Sequence, residues 1–105
     1  MVHHIAFFKL KPEVTPEKLE TMMRQTRSRL LKIGEVLALK CGKNIDPQGE
    51  WGFFLAVDVE SAEKLALYRE SGIHLKFLRD VIQPNTCERL AMDYEMEPGK
   101  DVRYS

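Results

Sequence analysis

Cysteine is scarce in this chain: two in 105 residues, Cys41 and Cys87, with no Cys-x-x-Cys. That pattern excludes a disulfide-stapled scaffold and the usual structural zinc spacings, and it fits a reduced, cytoplasmic compartment. An excess of one charge is absent too, since 16 Lys and Arg balance 16 Asp and Glu. Nucleic-acid binding, which needs a surplus of cations on one face, is therefore not expected. No apolar run approaches the roughly 20 residues of a membrane-spanning helix. The opening Met1-Val2-His3-His4-Ile5 has neither the basic region nor the cleavage site of an export signal. Phosphate-cradling loops, dinucleotide fingerprints and nucleophile elbows are missing as well, so no cofactor is expected. What remains is 44% hydrophobic and 30% charged residues, the balance of one small globular domain.

Punctuation divides the chain into periodic segments. Residues 2–11 are rich in β-branched and aromatic side chains and stop at Pro12, which predicts a strand. Thr15-Pro16-Glu17 opens a helix, with Thr as N-cap and Pro in the first turn. Leu19, Met22, Met23, Thr26, Leu30 and Ile33 continue it at helical spacing, and Gly34 is its expected stop. Strands are expected over 36–44 and 51–59, joined by the turn Asp46-Pro47-Gln48-Gly49. Ser61 caps a helix over 62–70. Ser71-Gly72 interrupts it, a second helical piece runs to about residue 83, and a last strand covers 86–96. Residues 97–105 carry Pro98-Gly99 and no periodicity, and read as an arm or a disordered tail after a 1–96 domain.

The order β-α-β-β-α-β is the ferredoxin-like α+β arrangement, an antiparallel four-stranded sheet with its helices on one face. A sheet covered on one side should alternate apolar and polar residues. These strands do not: Ala6, Phe8 and Leu10 are opposed by Ile5 and Phe7, and Phe54 and Ala56 by Phe53, Leu55 and Val57. The uncovered face calls for a second copy of the chain, hence a homodimer. In the usual strand order of this topology, 4-1-3-2, Cys41 and Cys87 fall on opposite edges, about 14 Å apart and out of disulfide reach.

Few residues carry chemistry. Adjacent strand positions point to opposite faces, so His3 and His4 cannot share a metal ion. His4 has the parity of Ala6 and Phe8 and faces the helices, where a core histidine is the commoner outcome. His74 follows the helix break, six residues after Tyr68; a kink could bring the two into one acid–base pair. By spacing alone, a histidine donating to helix-end carbonyls is the simpler account. Asp93, within the apolar Leu90–Tyr94 stretch, either needs an imidazole partner or faces solvent at an edge. The aromatic run Trp51-Gly52-Phe53-Phe54 superficially suggests an RNA-recognition strand, but it lacks that motif's basic residue.

Together the segments from Val2 to Tyr94 resemble the stress-responsive A/B barrel (Dabb) family. The resemblance rests on His4-Ile5-Ala6-Phe7-Phe8-Lys9-Leu10-Lys11, Thr15-Pro16-Glu17, Gly42 before Asn44-Ile45, Glu60-Ser61-Ala62-Glu63 and Asp93-Tyr94. It implies a dimeric α/β barrel with the helices outside. It also points to a plant polyketide cyclase of the family, the enzyme that makes olivetolic acid, whose Tyr and His fall by position on Tyr68 and His74. His4 and Asp93 would line the equivalent cavity, with Phe8 beside them. Members often write His-Pro-x-His at the helix break; here it is Ser71-Gly72-Ile73-His74, which keeps only the second His. The resemblance thus implies a cofactor-free cyclase or isomerase acting on a small, partly apolar carbonyl compound, with catalytic His74 and Tyr68 supported by His4, Asp93 and Phe8. The alternative is a non-catalytic, stress-related dimer or a protein that binds a small hydrophobic ligand. A haem-degrading oxygenase on the same barrel would need an Asn–Trp–His set, and Asn44 and Trp51 do not fall in the expected elements.

Overall fold

Val2–Leu10 forms the first strand, β1, where β-branched and aromatic residues sit alternately buried and half-buried. Thr15 then takes an extended conformation and its hydroxyl accepts from the Lys18 amide at 3.1 Å. That bond, with Pro16 in the first turn, starts helix α1, Pro16–Leu30. Met22, Met23, Thr26 and Leu30 form its buried stripe. The buried Thr26 hydroxyl donates to the Met22 carbonyl at 2.7 Å, so it adds no unsatisfied polar group to the core. The helix ends earlier than Gly34. Lys32 and Ile33 donate to the carbonyls of Arg29 and Leu30, an i→i+3 tightening that uses up the last turn.

The computed structural model describes residues 1–97; the expected arm over 97–105 lies, from residue 98 onward, outside the described residues. Strand β2 is Ala38–Lys43, β3 is Phe53–Val59 and β4 is Thr86–Glu95. Their spatial order is β2-β3-β1-β4 with every pair antiparallel, the order expected from the sequence. Trp51 and Gly52 precede β3 rather than starting it. Helix α2, Ala62–Glu70, is capped by the Ser61 hydroxyl on the Lys64 amide at 3.2 Å. Ser71 then leaves helical geometry at φ −57° and ψ 134°, and its hydroxyl caps helix α3, Gly72–Phe77, through the Ile73 amide. A π-helical turn, Leu78–Ile82, completes this segment, with Gln83 donating to the Leu78 carbonyl at 2.8 Å.

The register decides which side chains meet. Pairing Phe8 with Phe53, Ala6 with Leu55 and His4 with Val57 puts all six on the helix side. There the five apolar ones join Met22, Leu30, Leu65, Tyr68 and Phe77 in one core, and His4 is buried beside them. The opposite face holds Ile5, Phe7, Phe54 and Ala56, together with Leu90, Met92 and Tyr94 of β4. Gly42 belongs to this face across from Phe54, whose ring comes within 2.9 Å of where a Cβ would stand. Leu90, Met92 and Tyr94 are 45%, 37% and 53% exposed. Among the described residues, no helix covers this side of the sheet.

Cys41 on β2 and Cys87 on β4 are free and lie on opposite edges. Burial raises the Cys41 thiol pKa, with the Arg27 guanidinium opposing the rise. Thiol titration of the denatured, unreduced protein should therefore count two thiols per chain. In the native protein the exposed Cys87 should react first. A count of zero with a monomer band on a non-reducing gel would contradict the strand order.

Candidate functional site

The break at Ser71 builds the site. In an unbroken α-helix, residues six apart are separated by about 240° of rotation and about 9 Å of rise, so Tyr68 and His74 would diverge. With the chain turned at Ser71, their rings approach to 4.6 Å between centroids. Tyr68 is 1% exposed, and its hydroxyl has no hydrogen-bond partner among the described residues. Burial drives its pKa far above the ordinary phenol range, against the opposing pull of Arg69 and Arg89, so it stays protonated near neutrality. His74 donates Nδ1–H to the Arg69 carbonyl at 3.1 Å, because a carbonyl can only accept. This bond to a helix-end carbonyl is what spacing alone suggested, yet the same ring also lines a cavity. It leaves Nε2 as the unprotonated nitrogen of the neutral ring.

His4 comes to the site from β1. Its ring centroid is 6.1 Å from that of Tyr68, and its Nδ1 lies 2.6 Å from Asp93 Oδ1, directly across the β1–β4 ladder. The second oxygen of Asp93 accepts from Arg69 at 2.5 Å. Burial alone would raise the Asp93 pKa, but the hydrogen bonds from His4 and Arg69 together hold it below the usual carboxylate range. For His4, burial dominates and lowers the pKa against the opposing effect of Asp93. For His74, burial again comes first, with the nearby His4, Arg89 and Arg69 adding to the decrease. Both imidazoles are therefore predominantly neutral at neutral pH, and each presents Nε2 as an acceptor.

The cavity has a volume of about 260 Å³. The rings of His4, Tyr68 and His74, the guanidinium-bearing Arg69 and Arg89, and an apolar wall that includes Phe8, Leu55 and Phe77 line it. The structure thus brings four of the five expected residues to one space. Asp93 is not among the lining residues; it stands behind His4 and Arg69 and orients both. Arg69 and Arg89 escaped the sequence reading. Arg69 is a helix residue beside Tyr68, of a kind that usually points to solvent. Arg89 shares its strand face with Ala91 and Asp93, and this parity was the one available signal. Asn44 and Trp51 line a separate hollow with Phe7 and Phe54 on the other face, across the sheet from His74. Among the described residues no three His, Cys, Asp or Glu side chains gather where a metal ion could be held.

Residues 2–96 match the family described as the Stress responsive A/B Barrel Domain. The chain belongs to the stress-responsive A/B barrel family. Several solved structures share its fold at low identity. A dimeric ferredoxin-like protein of unknown function from Thermobifida fusca aligns with a TM-score of 0.81 and 22% identity over 90% of each chain. A Dabb family protein with a ferredoxin-like fold from Mesorhizobium loti gives 0.79 and 20%, over 91% of this chain and 96% of its own. The hydroxynitrile lyase of Passiflora edulis gives 0.77 and 16%, over 92% and 94%. No curated protein matches at the sequence level. At these identities the structural likeness shows the barrel-family fold, and the chemistry must be argued from this A/B barrel domain's own residues.

The two lowered imidazole pKa values set a pH window for stability. In the unfolded chain both rings take up protons near the ordinary value of about 6.5, whereas the folded state resists this until lower pH. Their contribution is therefore complete above about pH 6.5 and declines as pH falls toward the folded values, by at most about 1.4 kcal/mol per pH unit for each ring. Urea midpoints should be lower at about pH 5.5 than at about pH 7.5, and His74→Gln should shrink the difference. Ring resonances of His4 and His74 that titrate above 6.5 would refute the assignment.

Proposed function

We propose that this A/B barrel protein is a cofactor-free acid–base catalyst acting on a small, partly apolar carbonyl compound, in a cyclisation or isomerisation. The observation that carries the reading is the buried, unpartnered Tyr68 hydroxyl beside the His74 ring in a cavity between sheet and helices. An unsatisfied buried hydroxyl costs about 1–3 kcal/mol, and a substrate carbonyl oxygen would remove that cost by accepting from it. Polarised in this way, the carbonyl acidifies its α-carbon. His74 Nε2, held acceptor-side out by the Arg69 carbonyl, takes the α-proton, and the resulting enolate is stabilised by the Tyr68 hydroxyl. The enolate carbon then attacks a second carbonyl of the same molecule, and the His74 imidazolium returns its proton to the alkoxide so formed. Where the enolate is conjugated with a carbon–carbon double bond, the imidazolium instead returns the proton to the far carbon and the double bond shifts. His4, oriented by Asp93, supports Tyr68 from the β1 side. The fold neighbour named a hydroxynitrile lyase supports the idea that this barrel can host catalysis.

The same reading includes a homodimer closed through the open sheet face. Its support is the apolar surface of Ile5, Phe7, Phe54, Leu90 and Met92, together with neighbours described as dimeric. A non-catalytic dimer that binds a small hydrophobic ligand is the second reading; the apolar wall of Phe8, Leu55 and Phe77 favours it equally well.

Two measurements test these statements. Proton abstraction is read directly by NMR as exchange of α-protons for deuterium in a panel of aryl and alkyl ketones. The wild type should accelerate exchange of at least one ketone, and His74→Ala should lower the rate about 10²–10⁴-fold with the fold retained. Exchange no faster than buffer across the panel, or an unaffected His74→Ala, would leave the ligand-binding dimer as the better account. By light scattering at micromolar concentration, the protein should have twice the chain mass of 12.2 kDa. Phe7→Asp, which buries a lone charge in the contact, should shift it to one chain mass.

A further inference from the structure

The cavity carries one positive charge that no side chain among the described residues answers. Arg69 is also at the cavity, but its charge is met by Asp93 at 2.5 Å. His4 and His74 are neutral near pH 7 and Tyr68 is a neutral phenol. Arg89 remains: it lines the same cavity from β4 and makes no hydrogen bond or ion pair among the described residues. The local sum is thus one uncompensated guanidinium, beside the neutralised Arg69, in a wall otherwise built of apolar and aromatic side chains. A guanidinium offers a planar fork of donors that matches a carboxylate in two parallel hydrogen bonds.

From this arrangement we infer that the ligand of the site is a carbonyl compound bearing a carboxylate, an oxo acid whose carboxylate binds Arg89 while its carbonyl faces Tyr68 and His74. The inference rests on the acid–base reading of the same cavity for the position of the carbonyl. It goes beyond that reading by naming the charged group and the residue that selects it. The ladder sets the layout. Arg89 pairs with Phe8, and Asp93 pairs with His4, four residues away along the same two strands. At about 3.3 Å per residue the backbone anchors of the two ends are about 13 Å apart. The carboxylate and the reacting carbonyl are therefore separated by an apolar stretch, which lies against Phe8 and Leu55. One net positive charge fits a monoanion, whereas a dianionic phosphate would leave one negative charge unmatched. A carboxylate at Arg89 also leaves His74 neutral and able to accept a proton, because the anion is held by the guanidinium rather than by the imidazole.

The test compares a stable oxo acid with its neutral ester, 6-oxoheptanoate against methyl 6-oxoheptanoate, by calorimetric titration and by α-proton exchange. The wild type should bind the acid about tenfold or more tightly than the ester. Arg89→Leu should bring the acid-to-ester ratio close to one, and Arg89→Lys should keep part of the preference. Circular dichroism checks that both variants fold; the exposed position on an edge strand favours this. Equal binding of acid and ester by the wild type, no binding of either, or a preference that survives Arg89→Leu overturns the inference. The two readings fail separately. An Arg89-dependent preference without His74-dependent exchange would keep the anion site and discard the catalysis. His74-dependent exchange that is indifferent to the carboxylate would do the reverse.

Discussion

Asp93 is shared between His4 on the neighbouring strand and Arg69 on the helix above, and most of the site follows from that sharing. A carboxylate with a buried imidazole on one oxygen and a guanidinium on the other ties the edge strand β4 to β1 and to α2. The hydrogen bond from His4 satisfies a polar ring that is otherwise inside the core. It also fixes the tautomer, so that Nε2 rather than Nδ1 is the acceptor on the cavity side. The same carboxylate cancels the charge of Arg69, which leaves Arg89 as the cation that sets the character of the cavity. One side chain thereby controls geometry, protonation and net charge together. Partial burial alone would raise its own pKa, but its two partners hold it below the usual carboxylate range, so it stays ionised.

The second constraint is the interruption at Ser71. A continuous helix would bury Tyr68 but carry His74 round to another side; the turn at Ser71 brings the two rings into contact. The break is inexpensive because Ser71 caps the next helix with its own hydroxyl. The freed carbonyl of Arg69 is then used to hold His74. A local defect in secondary structure becomes the device that selects the basic nitrogen.

The sheet supplies a third constraint, because it is apolar on both sides. One side is filled by α1, α2, α3 and the π turn, and the cavity is a space that this filling leaves between helices and strands. The other side, with its exposed Leu90, Met92 and Tyr94, is where the proposed partner copy would pack. Burial there would add apolar area to a domain whose small size limits its own core.

Much of this was legible beforehand. Proline, glycine and capping hydroxyls mark where elements start and stop, and strand parity alone places His4 with Ala6 and Phe8 and leaves Ile5 and Phe7 on the far side. These are local effects, decided by backbone sterics and a period of two, and a one-dimensional string records them. The helix end after Leu30, ahead of Gly34, was not legible, because i→i+3 bonds compete with the glycine stop and tertiary packing chooses between them. The pairing of Asp93 with His4 could be suspected from the need of a buried carboxylate for a partner, but 89 residues separate the two and only the register unites them. Arg69 could not be recognised, and Arg89 only through its strand parity with Asp93, since an arginine on a helix or an edge strand looks like solvated surface until the fold shows what lies beneath it. The sequence by itself determined the elements, their order and the faces of the strands, because these depend on neighbours along the chain. The charge balance of the cavity and the meeting of Tyr68 with His74 were decided only by tertiary structure, because they depend on distances between residues that the chain brings together from separate elements.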